Sequence, residues 1–117
     1  MQIPPGFRVV AERSAFELEV AELVRAIPPG TVASYGRIAD WLGRAASARA
    51  VGGALARSGG DTPAHRVVNA AGRLAPGWER EQAELLRVEG VRVRGGRVTD
   101  PIPWWDGPRT RPARSTG

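Results

Sequence analysis

The chain has 117 residues with a formal net charge of +5, one histidine, no lysine and no cysteine, which is the size of a single domain. Without cysteine there is no disulfide, no thiolate nucleophile and no conventional zinc site, so neither a metal nor a cofactor is expected. No apolar run approaches the roughly 18 residues of a membrane span and no signal-peptide core is visible, so a cytoplasmic protein away from membranes is expected.

Residues 1–13 carry Pro4-Pro5-Gly6 without periodicity and read as a loose arm or an edge segment. From Ser14 the pattern sharpens. Ser14 and Glu17 form a capping box, and Phe16, Val20, Leu23, Val24 and Ile27 share one face of a helix that Pro28-Pro29-Gly30 ends. Thr31-Val32-Ala33 is a short extended link. Ser34 then caps a second helix carrying Tyr35, Ile38, Ala39, Trp41 and Leu42, with Gly43 as its stop, and Ser47 caps a third from Ala48 to Arg57. Two short helices joined in this way make a helix-turn-helix unit.

The third helix is slim. Ala50, Gly52, Gly53, Ala54 and Ala56 strip it of bulk, although each glycine costs about 1 kcal/mol relative to alanine. A close neighbour must offset that cost. The neighbour is either a packed helix or sheet, or a nucleic-acid groove with Arg49 and Arg57 projecting into it. Charge placement fits the groove, because residues 37–73 hold six arginines against Asp40 and Asp61.

A loop over 58–62 leads into Pro63-Ala64-His65-Arg66-Val67-Val68, where a proline and the single histidine stand at the mouth of a buried β-branched strand. Taken alone, His65 fits a hydrogen-bonded turn or core histidine as well as a functional one. Asn69-Ala70-Ala71-Gly72 followed by Arg73-Leu74 reads as a small hairpin turn. Pro76-Gly77-Trp78 interrupts, and Glu79 opens a fourth helix with Ala83, Leu85, Leu86 and Val88 that Gly90 stops. Alternating valine and arginine over 91–99 predicts a final hairpin. In the tail, either one of Trp104 and Trp105 folds back on the core or the pair lines a pocket, and 109–117 reads as disordered. The expected architecture is mostly α with short β-hairpins, a single winged-helix-like domain over 14–108.

Four blocks carry a resemblance: Thr31-Val32-Ala33-Ser34-Tyr35-Gly36-Arg37-Ile38-Ala39, Ala48-Arg49-Ala50-Val51-Gly52-Gly53-Ala54-Leu55, Pro63-Ala64-His65-Arg66-Val67-Val68 and Leu85-Leu86-Arg87-Val88-Glu89-Gly90-Val91. In this order and spacing they resemble the DNA-binding domain of O6-alkylguanine-DNA alkyltransferases. The catalytic motif of that family is Pro-Cys-His-Arg-Val, and Ala64 stands at the cysteine position. Transfer of an alkyl group to a protein thiolate therefore has no acceptor here. The resemblance further implies an asparagine in the loop before the motif, where Ser58 stands. It also implies a glutamate on the following helix supporting His65, where alignment on Leu85-Leu86 puts Ala83, with Glu84 adjacent. The family's extra N-terminal domain is not in the sequence. The pattern is similar to the non-catalytic, alkyltransferase-like branch.

What the resemblance implies is a monomer that binds duplex DNA containing O6-alkylguanine, flips the damaged nucleotide and hands it to nucleotide excision repair through a UvrA-type damage-recognition protein. Ser34, Tyr35, Arg49, Gly52, Gly53 and Arg57 would contact DNA from the minor groove, with Arg49 replacing the extruded base in the stack. Tyr35, Pro63, Ala64, His65, Arg66 and Val67 would form the base pocket, and Trp78 a wall for the alkyl group. Two other classes compete: a helix-turn-helix transcriptional regulator with no lesion preference, and a hydrolase using His65 as general base, for which no companion carboxylate or metal set is evident.

Overall fold

The computed structural model describes residues 5–43, 47–57 and 62–108, with side chains from Ala15 onward in the first helix. Along the chain come α1 (Pro5–Arg25), β1 (Ala33–Ser34), α2 (Tyr35–Leu42), α3 (Ala48–Ala56), one 3-10 turn (Ala64–Arg66), β2 (Val67–Val68), α4 (Glu79–Val88), β3 (Val93–Arg94) and β4 (Arg97–Val98). The expectations for Ser58 and for residues 109–117 lie outside the described residues.

Helix α1 corrects the reading of its own start. It begins at Pro5 and not at Ser14, so most of the supposed arm is helical. Proline is compatible with the first helical turn because its missing N–H would find no partner there anyway. Ser14 is therefore an interior residue. Glu17 turns to Arg57 instead, with Nε donating to Oε2 at 2.6 Å. The predicted apolar face holds: Val20, Val24 and Ile27 are buried, and Phe16 and Leu23 pack against them.

Both helix-turn-helix caps form. Ser34 Oγ accepts from Arg37 N, and Ser47 Oγ accepts from Ala50 N, each at 3.1 Å. Gly43 ends α2 by donating its N–H to the Asp40 carbonyl. Between them these bonds fix where α2 and α3 start and where the turn begins.

The strands β1 and β2 pair in parallel, Ala33 with Val67 and Ser34 with Val68. Neighbouring residues on a strand face opposite ways, and the pair divides the core accordingly. Ala33 and Val67 face a cluster containing Val20, Val24, Ile27, Ile38 and Val51. Val32 and Val68 face a second one with Leu74, Ala83, Leu86, Val91 and Val98. The segment after the motif is thus clamped from both sides, each fully buried aliphatic side chain contributing roughly 1.5–3 kcal/mol.

The small turn expected after Val68 forms, Asn69 N donating to Arg73 O at 3.1 Å and Gly72 N to Asn69 O at 2.9 Å. The Asn69 side chain tightens it, its Oδ1 accepting from Ala71 N and Arg73 N at 2.8 Å. The chain then departs toward the last hairpin, with Leu74 N donating to Gly96 O and Val98 N to Gly72 O. β3 and β4 form the predicted antiparallel hairpin with Val93 opposite Val98. In the tail both expectations for the tryptophans are met. Trp105 folds back edge-on to Trp41 at 5.1 Å, anchored by Trp105 N donating to Val32 O, while Trp104 and Trp105 together border a groove of ≈ 520 Å³ with Arg37. Among the described residues no helix is long and apolar enough to cross a membrane.

Candidate nucleic-acid interface

The 3-10 turn brings Ala64 and His65 to the floor of a cavity of ≈ 680 Å³. Tyr35, the first residue of α2, closes one side, and Gly52, Leu55 and Ala56 of α3 form another. Ala75, Trp78 and Leu85 come from around α4. The slim face of α3 and the motif are therefore one site. Burial raises the pKa of the Tyr35 hydroxyl, so it stays protonated as a donor. A Cβ on Gly52 would meet the Tyr35 ring at 3.8 Å, an ordinary contact, so packing alone does not require glycine there.

Beneath the floor lies an ionic cluster. His65 Nε2 is 2.9 Å from Glu89 Oε2. Arg66 grips the same carboxylate with two bonds, Nε to Oε1 at 3.0 Å and one terminal nitrogen to Oε2 at 2.6 Å, and its other terminal nitrogen donates to Ile27 O. All three side chains are at most 15% exposed. The Arg66 hydrogen bonds, with His65 assisting, hold the Glu89 pKa down to about 2 against the burial that would raise it. Glu89 is thus anionic at neutral pH and fixes His65 and Arg66 together.

A second brace was not anticipated. Gln82 is fully buried on α4, where its Nε2 donates to the carbonyls of His65 and Val67 and its Oε1 accepts from Ala75 N at 2.7 Å. Its amide is satisfied at both ends and ties α4 to the motif. The signal available in the sequence was a polar residue one helical turn before the core residue Leu86, on the stripe that faces inward.

Several expected site residues lie elsewhere. Arg66 points away from the cavity into the Glu89 cluster, and Val67 is fully buried in the core, so neither lines the pocket. Ser34 spends its hydroxyl on capping α2 and is only 6% exposed. Arg57, expected on the DNA, is half-exposed and engaged by Glu17, and Gly53, also expected on the DNA, lies beside the Arg57 guanidinium and not among the cavity-lining residues. The helix register separates Gly53 from Gly52 by about 100° around α3. Arg49 is exposed on α3 and has no ion-pair partner among the described residues. Trp78 does stand on the cavity wall.

The carboxylate beside His65 corrects the alignment made from sequence. Ala83 is buried in the second core cluster, where a glutamate would be desolvated. Glu89 reaches His65 from just past the end of α4, so the support that had been assigned to Ala83 is present six positions later. Thr62 also lines the cavity. Its Oγ1 is the buried side-chain polar atom left without a partner among the described residues.

Comparison with known proteins places this geometry. The chain is 39% identical over 101 residues to a DNA base-flipping protein of Escherichia coli, spanning 82% of this chain and 78% of that one. It is 44% identical over 80 residues to a methylated-DNA–protein-cysteine methyltransferase of Salmonella typhimurium, spanning 64% of this chain and 46% of the enzyme. Among solved structures it matches Schizosaccharomyces pombe Atl1 in complex with damaged DNA containing O6-carboxymethylguanine, with a TM-score of 0.71, 30% identity and coverage of 79% of this chain and 95% of that one. The profile of the 6-O-methylguanine DNA methyltransferase DNA-binding domain matches residues 15–91, and by that match across most of its length the chain belongs to this family.

Proposed function

We propose that this protein binds O6-alkylguanine in duplex DNA, draws the damaged nucleotide into the cavity above Ala64 and holds it there without alkyl transfer. The observation that carries this reading is the cavity itself. It opens between Tyr35, the slim Gly52 face of α3 and the Pro63-Ala64-His65 turn, and so is continuous with the helix expected to enter the minor groove. Where an alkyltransferase of this family has a thiol, this floor presents the Ala64 methyl group, and the chain has no cysteine to replace it.

In this reading Arg49, exposed and without an ion-pair partner among the described residues, occupies the gap left by the extruded base, offsetting an unstacking cost of a few kcal/mol. Tyr35 and His65 shape the pocket and Glu89 keeps His65 in place. A protein that binds but cannot repair leaves excision to other machinery. The proposal therefore includes action as a monomer that marks the lesion for nucleotide excision repair through a UvrA-type protein. The homologue names and the DNA-bound relative support the binding and flipping parts of this reading.

The test is fluorescence of 2-aminopurine placed beside O6-methylguanine in a duplex, with the protein's intact mass measured afterward. Extrusion unstacks the reporter, so its emission rises on binding while the mass stays unchanged. A silent reporter at saturation would exclude flipping, and a protein heavier by the alkyl group would exclude the non-catalytic reading.

A further inference from the structure

The cavity has a selective chemistry of its own, and the inference drawn from it rests on the base-pocket reading above. Leu55, Trp78 and Leu85 make its walls apolar beyond the Ala64 floor. No arginine lines it among the described residues, although the chain has seventeen and every one of its basic residues is arginine. The nearest in sequence to the floor, Arg66, is turned away and paired with Glu89. His65, which does line the cavity, already has its Nε2 on the same carboxylate. Besides His65, the side-chain hydroxyls among the described residues on the wall are those of Tyr35 and Thr62, which can share a hydrogen bond but cannot neutralise a charge.

We infer that the pocket selects neutral O6 adducts, including bulky apolar or aromatic ones, and discriminates against adducts carrying a negative charge. A carboxylate carried on O6 would lose water on entering and meet no guanidinium among the described lining residues, with the Glu89 anion beneath the floor already committed to its own partners. A neutral alkyl or arylalkyl group loses nothing of this kind and buries apolar surface against Trp78 and Leu85. The carboxymethyl lesion bound by the S. pombe relative is thus a poor ligand for this chain.

The experiment compares four duplexes that differ at one guanine: unmodified, O6-methyl, O6-carboxymethyl and O6-carboxamidomethyl, the last a neutral adduct of the same size. Binding is measured at one fixed salt concentration, because phosphate contacts alone shift affinity by orders of magnitude. The expected result is that the amide adduct binds about tenfold more tightly than the carboxylate, and that Trp78→Arg narrows the gap by admitting the anion. Equal affinity for the two would overturn the inference while leaving the base-pocket reading intact, provided that O6-methylguanine is still preferred to guanine. Loss of that last preference would instead overturn the base-pocket reading.

Discussion

Arg66 and Glu89, 23 positions apart in the sequence, meet in a two-bonded ion pair of 2.6 and 3.0 Å directly beneath the cavity floor. Arg66 also reaches the carbonyl of Ile27, two residues past α1, so one guanidinium joins the α1–β1 link, the motif and the end of α4. Removing one partner of a buried pair leaves the other charge uncompensated, at a cost of roughly 3–5 kcal/mol. Glu89→Ala should therefore lower unfolding free energy by about 3 kcal/mol in urea titrations. A change below about 0.5 kcal/mol would mean that the pair is solvated and unimportant.

The same pair sets an acid limb. The Glu89 pKa is depressed from 4.5 to about 2, so its stabilising contribution is fully present above pH 4.5 and is lost as pH falls through about 2. Wild-type stability should drop across that window. Glu89→Gln, with no charge to lose, should be less stable at neutral pH and flatter between pH 4.5 and 2. Thermal melts of both proteins at several pH values decide this, and parallel curves would refute it.

Gln82 satisfies three backbone groups at once, the buried Val67 carbonyl and the partly buried His65 carbonyl and Ala75 N–H. Gln82→Leu keeps the volume but orphans all three, and a loss of about 2–4 kcal/mol is expected. Chemical denaturation measures the loss. A neutral substitution would show that the amide is replaceable by water or by backbone rearrangement.

How legible these features were depended on distance along the chain. The α2 and α3 caps, the α1 face, the α4 span and the last hairpin are local patterns, and they stand as read; Ala64 and Trp78 both line the observed cavity. The parallel pairing of β1 with β2 is not local, because two residues per strand leave no periodicity to detect. Arg57 was expected among the DNA contacts and Arg66 in the base pocket, because a sequence shows charge without showing its partner. Glu17 and Glu89 are those partners. The Glu89 misplacement arose from aligning on the Leu85-Leu86 pair, when the carboxylate comes from beyond the helix end.

Gly52 and Gly107 should respond oppositely to alanine. Gly52→Ala meets only an ordinary contact and removes a helical glycine, so the fold should gain about 0.5–1 kcal/mol while the added methyl narrows the cavity and weakens lesion binding. Gly107 has φ +111° and its Cβ would come within 2.9 Å of the Trp41 ring, so Gly107→Ala should destabilise. Melting temperatures and duplex affinities of the two variants separate these effects. Unchanged lesion binding in Gly52→Ala would remove α3 from the pocket.

The two α3 arginines should also part company. Arg57 is held by Glu17 in a half-exposed pair worth about 0–1 kcal/mol, whereas Arg49 has no ion-pair partner among the described residues. Arg49→Ala should abolish the preference for damaged DNA. Arg57→Ala should leave the preference and weaken all duplexes alike, by an amount that shrinks with added salt.

The most direct measurement is equilibrium binding of the protein to two short duplexes at one fixed salt concentration, identical except for a single O6-methylguanine in place of guanine. The account predicts tighter binding to the lesion, with the difference lost in Arg49→Ala. Equal affinity for the two duplexes would contradict it and leave a basic helix-turn-helix domain that reads DNA without regard to damage.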